Sequence, residues 1–198
     1  MRVSPVTVEK AYDRVRTLAC EASVFGYRRL ENGTELFGHV PHVAPEAWLH
    51  ELFAPLVDDE LAKLELSLGR PLPDDYAEWL RLCNGGHFFS MALSFDGLRR
   101  TNSRDPEARE PFALETPNLY ERPDDAPEDA LFFGFYRADG SHLYLGGDGK
   151  VYRCARDSAK PLNDWDDFAA AVISELERLR DLFDQEGRPK DPDWPTSP

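Results

Sequence analysis

The chain has 198 residues, 41% hydrophobic and 30% charged. That is enough for a domain with its own core, built without disulfides or metal, and no apolar run approaches the ~18 residues of a membrane span. With 37 acids against 23 Lys and Arg, the net charge of −14 repels nucleic-acid phosphates and anionic membranes and favours capture of a basic partner.

The opening MRVSPVTVEKAYDR has neither a continuous apolar stretch nor a small-residue cleavage site, so no secretory signal and a cytoplasmic location are expected. Cys20, Cys83 and Cys154 are an odd number at wide spacing in apolar contexts, and read as buried free thiols.

In chain order, Ser4-Pro5 predicts a helix cap, and Val8, Ala11, Tyr12, Val15, Leu18 and Ala19 follow at helical spacing. SVFGYRRLENGTELFGHV, from Ser23 to Val40, predicts a hairpin turning at Asn32-Gly33. Pro45 to Ala54 reads as a helix with Trp48, Leu49, Leu52 and Phe53 on one face. A further helix opens at Asp58-Asp59-Glu60 and stops at Gly69. LGRPLPDDYAEWLRLCNGG then predicts a turn, a helix with Tyr76, Trp79 and Leu80 inward, and a stop at Asn84-Gly85-Gly86. His87 to Phe95 reads as a strand.

The segment 105–129 holds nine acids, Asp105, Glu107, Glu110, Glu115, Glu121, Asp124, Asp125, Glu128 and Asp129, against Arg109 and Arg122. It therefore carries half of the excess charge and reads as a long surface loop. LFFGFYRA, SHLYLG and KVYRC, joined by Asp139-Gly140 and Asp148-Gly149, predict an antiparallel meander. Asn163 is the expected cap of a last helix whose face is Trp165, Phe168, Val172, Leu176, Leu179 and Phe183. A frayed tail follows Gly187.

No catalytic constellation emerges. GGDGKV lacks the spacing and the following helix of a phosphate loop. His39, His42 and His50 lack matching Cys or carboxylate partners for zinc. Cys83 with His87 is the only short-range nucleophile pair, and Cys83 falls on a core-facing stripe where a thiol is inert. Neither a cofactor nor a metal is expected.

The ordered set Leu-Gly at 68–69, Leu72-Pro73-Asp74-Asp75-Tyr76, Trp79-Leu80, Asn84-Gly85, then Asp148, Gly149, Val151 and Tyr152, then Trp165 and Phe168, resembles the signature of the SUKH superfamily over roughly Trp48 to Leu179. The resemblance implies an α+β fold, a mostly antiparallel sheet flanked by helices. It divides a single domain 1–198 into an N-terminal helix and hairpin (1–45), a SUKH-like core (46–186) with an acidic loop (105–129), and a tail (187–198). It also implies a non-catalytic immunity protein that binds and neutralises a cognate toxin domain, nuclease or deaminase in type, rather than nucleic acid or membrane. The nine acids of 105–129 are then the candidate contact residues for a basic toxin. The alternative is a non-catalytic regulatory or scaffold module that binds other proteins, and a thiol or metal-dependent enzyme ranks last.

Overall fold

A computed structural model describes residues 6–103 and 105–198. Among these residues nine strands make one sheet, each antiparallel to its neighbour and ordered along the sheet as along the chain. They are β1 (Tyr27–Arg29), β2 (Glu35–His39), β3 (Trp48–Leu52), β4 (Gly86–Phe88), β5 (Leu93–Phe95), β6 (Leu131–Tyr136), β7 (His142–Leu145), β8 (Val151–Cys154) and β9 (Pro161–Trp165). Four α-helices accompany them: α1 (Val8–Ala22), α2 (Asp58–Leu68), α3 (Asp74–Leu82) and α4 (Phe168–Leu182). This is the expected α+β class.

Helix α1 buries Val8, Ala11, Val15, Leu18 and Ala19 as its spacing requires. Its cap is Thr7, whose hydroxyl accepts from the Lys10 amide at 3.4 Å, while the predicted Ser4-Pro5 start lies outside the described residues. Gly69 closes α2 in the left-handed conformation at φ 70°, as the sequence predicts. Tyr76, Trp79 and Leu80 of α3 are fully buried, and the Tyr76 and Trp79 rings meet Phe95 and Phe133 of the sheet and Phe168 of α4 edge-on or tilted. This aromatic cluster is the centre of the core on the helix-covered side of the sheet.

Several expectations are corrected. Pro45–Ala54 is not a helix: it contains β3, hydrogen-bonded between β2 and β4 with His50 opposite both Phe37 and Phe88. Leu49 through Leu52 are all buried, so the apolar spacing that imitates a helical face comes from a strand covered on both sides. The strand expected over His87–Phe95 is a hairpin, because Phe89, Ser90 and Met91 all take positive φ and reverse the chain. Phe89 is stacked on Phe183 with ring centroids 5.0 Å apart, which anchors the turn. Asn163 does not cap the last helix. It belongs to β9, where its side chain accepts from Arg153 at 3.1 Å, and Asp167 caps α4 by accepting from the Ala170 amide at 2.7 Å.

The tail is also not frayed. The Thr196 carbonyl accepts from Arg178 at 2.7 Å, the Pro198 carbonyl accepts from Arg153, and Ser197 is buried. Two arginines recruited from α4 and β8 hold a segment whose own composition gives no reason to pack. Cys83 and Cys154 are buried as expected, whereas Cys20 is exposed.

Candidate functional site

The sheet has a second face, opposite the helices. Pairing registers align one row across it: Leu36, Glu51, His87, Ser94, Phe135, His142 and Cys154. Glu51, His87 and Ser94 in this row are buried polar residues, which is unusual in the middle of a sheet.

A strap of chain after β5 covers the row. It enters at Gly97, which forms a parallel bridge with Ala113, and Asn84 fixes it by exchanging both amide hydrogen bonds with Leu98, at 2.8 and 2.7 Å. Phe112 sits on the row, 5.0 Å from the His87 ring and 5.2 Å from Phe135. Arg109 then reaches through to Glu51 and also donates to the Glu46 carbonyl at 2.5 Å. Burial would raise the Glu51 carboxyl, but His87, with Nδ1 3.4 Å away, and the Arg109 guanidinium together hold it below its ordinary range.

The acidic segment is a long surface loop between β5 and β6, as its composition suggests, but it is anchored at several points. Pro111, Leu114, Pro117 and Asn118 are buried, and Thr116–Tyr120 form one wide helical turn. The Asn118 amide donates to the Leu114 and Phe132 carbonyls at 2.8 and 2.7 Å and accepts from the Phe132 amide at 3.0 Å. Arg70 donates to the Glu128 and Ala130 carbonyls at 2.9 and 2.6 Å, and Arg122 donates to the Ala130 carbonyl at 2.9 Å and to that of Pro127. Both cations thus serve the backbone of the segment rather than its carboxylates.

The nine candidate acids divide by what they touch. Glu107 pairs with Arg28 at 2.7 Å, Glu121 with Arg156 at 3.4 Å, and Glu110 lies 3.9 Å from Arg100 with its carboxyl raised by burial. Glu115 accepts from Ser67 at 3.1 Å, and Asp105 accepts from the Glu107 amide at 2.9 Å. Asp125 accepts from the Ala159 amide and the Ser158 hydroxyl, both at 2.7 Å, and these bonds lower its pKa. The carboxylates of Asp124, Glu128 and Asp129 are exposed and make no hydrogen bond or ion pair among the described residues. Asp129 lies against Gly147, beside Asp148 in the β7–β8 turn. Of the three, Asp129 is thus placed beside the β7–β8 turn, and Arg70 and Arg122 hold the backbone carbonyls of Pro127, Glu128 and Ala130 around it.

The hairpin reading of GGDGKV holds: it is the turn between β7 and β8. Cys83 donates to the Gly85 carbonyl at 2.7 Å, and burial pushes its thiol up to about 12, as expected of a core cysteine. Among the described residues no three His, Cys, Asp or Glu side chains gather in a way that could hold a metal ion. No described helix is long and apolar enough to cross a membrane.

Residues 55–173, more than half of the chain, match the model of the SMI1 / KNR4 family (SUKH-1). The chain belongs to this family. The SUKH-1 match spans α2, α3, the meander and the start of α4, and it includes the whole acidic segment. No curated protein and no solved structure matches the chain. SUKH domains are known as immunity-protein-like, are generally non-catalytic and imply a protein partner. Sequence reasoning found the SUKH-1 scaffold but missed the strap and its buried polar row. Pro111, Phe112, Leu114 and Pro117 were the available signal that the acidic segment packs.

Proposed function

We propose that this SUKH-1 chain is a cytoplasmic immunity protein that binds the basic surface of a cognate toxin domain, nuclease or deaminase in type, and neutralises it by occupying that surface. The observation that carries the reading is the set Asp124, Glu128 and Asp129, whose exposed carboxylates make no hydrogen bond or ion pair among the described residues, while Arg70 and Arg122 hold the backbone carbonyls of Glu128 and Ala130. Ordered, unpaired charge of one sign steers a complementary partner and loses little entropy on binding. The other six candidate acids act mainly as internal struts, so the contact surface narrows to these three. The N-terminal helix and hairpin act with the rest of the chain as one unit, since α1 packs on α3 and α4 and β1 and β2 extend the same sheet. The chain inhibits by contact and not by catalysis.

Expressing the toxin encoded by the adjacent reading frame, with and without this chain, tests the role. Growth should be restored by the wild-type chain and only in part by a D124N/E128Q/D129N variant. Lack of protection by a soluble wild-type chain would count against the assignment.

A further inference from the structure

The strap does not seal the outer face completely. Between its residues Arg99, Asn102 and Phe112 to Glu121 and the strands β6 and β7 lies a cavity of about 470 Å³, within the range of sites that hold small molecules. Its chemistry runs opposite to that of the molecule as a whole. Arg99, Arg137 and Arg156 line it, with Glu121, the partner of Arg156, as one of only two carboxylates. Arg99 and Arg137 make no ion pair among the described residues.

The second carboxylate is Asp96, only 2% exposed, whose Oδ1 is buried without a hydrogen-bond partner. Nδ1 of His142, another lining residue, is likewise buried and unpartnered. Buried polar atoms are almost always paired; these two atoms are closed to solvent and do not open into the cavity themselves, but they mark Asp96 and His142 as lining residues whose hydrogen-bonding capacity the fold leaves unmet. Phe112 and Phe135 supply an apolar corner, with centroids 5.2 Å apart and planes at 68°.

We propose that this cavity binds a small planar anion of the nucleoside monophosphate class. Its heteroaromatic ring lies on Phe112 and Phe135, its polar edge meets Asp96 and His142, and its phosphate meets the arginines at the mouth. Three guanidiniums suit a dianion better than a single carboxylate. Burial holds the Asp96 carboxyl well above its ordinary range and lowers that of the His142 imidazole. Both shifts favour the uncharged forms, which offer donors and acceptors to a ring edge without adding charge beside the phosphate. A nucleic-acid polymer is not the ligand, because it would extend over a surface of net charge −14. The site is independent of toxin binding, which the proposed function assigns to the 124–129 end.

The test is calorimetric titration of the full chain with adenosine and guanosine 5′-monophosphates, their parent nucleosides and inorganic phosphate. At least one nucleotide should bind in the sub-millimolar range, with its nucleoside and phosphate alone each weaker by about tenfold or more. R137A and R99A, changes at exposed side chains, should each weaken the nucleotide several-fold while leaving the thermal midpoint unchanged. Failure of both nucleotides to bind at millimolar concentration would overturn the proposal. So would unchanged affinity in the R99A/R137A/R156A triple variant.

Discussion

Asn118 is a buried amide in a segment otherwise rich in acids and prolines, and its three hydrogen bonds fasten that segment to β6. N118A strands the Phe132 amide and carbonyl, and should lower stability in urea by about 2–3 kcal/mol; a loss below ~0.5 kcal/mol would show that the segment holds without it. Nothing in the sequence marks this asparagine, because its partners are backbone groups brought near only by the fold. Asp96 and His50 act in the opposite sense, as buried ionisable groups without partners. Burial raises the Asp96 pKa, so the folded chain keeps a proton that the unfolded chain releases from about pH 3.8 upward. Its contribution to stability is therefore lost as pH rises above about 3.8, and D96N should gain on the wild type as the pH is raised from there. His50 is lowered to about 3 from an ordinary 6.5, so in the folded state it resists protonation that the unfolded chain accepts. Its cost appears as pH falls through that window, and H50F should gain on the wild type there. Flat differences in unfolding free energy against pH would refute both assignments.

Among the elements, the strap and β3 show where sequence patterns mislead. Helical spacing in Trp48, Leu49, Leu52 and Phe53 arises because β3 is buried on both faces, a case that periodicity cannot separate from a helix. Glu51 and His87 lie on neighbouring strands far apart in the chain, and Arg109 comes from a third element, so no local motif announces the group. The meander and α2 and α3 were legible because local signals decide them: Asp-Gly turns, an acidic first turn and a glycine stop. Gly85 illustrates the same point, since at φ 79° a Cβ would come within 2.5 Å of the Phe95 carbonyl. Arg109 is the strap's main lock. R109A leaves the Glu51 carboxylate buried with only His87 beside it, and should cost about 3 kcal/mol. It should also open the strap near 105–110 to limited proteolysis under native conditions; equal resistance of variant and wild type would show that Phe112 and Asn84 suffice.

For the whole molecule, the family and the class of fold could be read from an ordered set of weak signals, whereas the disposition of charge could not. A count of nine acids in 105–129 does not reveal that, among the described residues, Glu107, Glu110, Glu115, Glu121 and Asp125 have side-chain partners and Asp124, Glu128 and Asp129 have none. Nor does the net charge reveal an arginine-lined cavity on the same surface. The acidic segment thus carries two kinds of electrostatic feature: internal pairs that fix it, and exposed acids that face outward. The most direct measurement is the affinity of the purified chain for the toxin domain encoded beside it, determined as ionic strength rises from about 50 to 500 mM, a range over which the Debye length shrinks from roughly 14 to 4 Å. A stable complex is expected whose association rate falls steeply with salt and is reduced about tenfold or more by D124N/E128Q/D129N, with the fold unchanged. No complex, or a complex indifferent to both salt and the triple substitution, would contradict it.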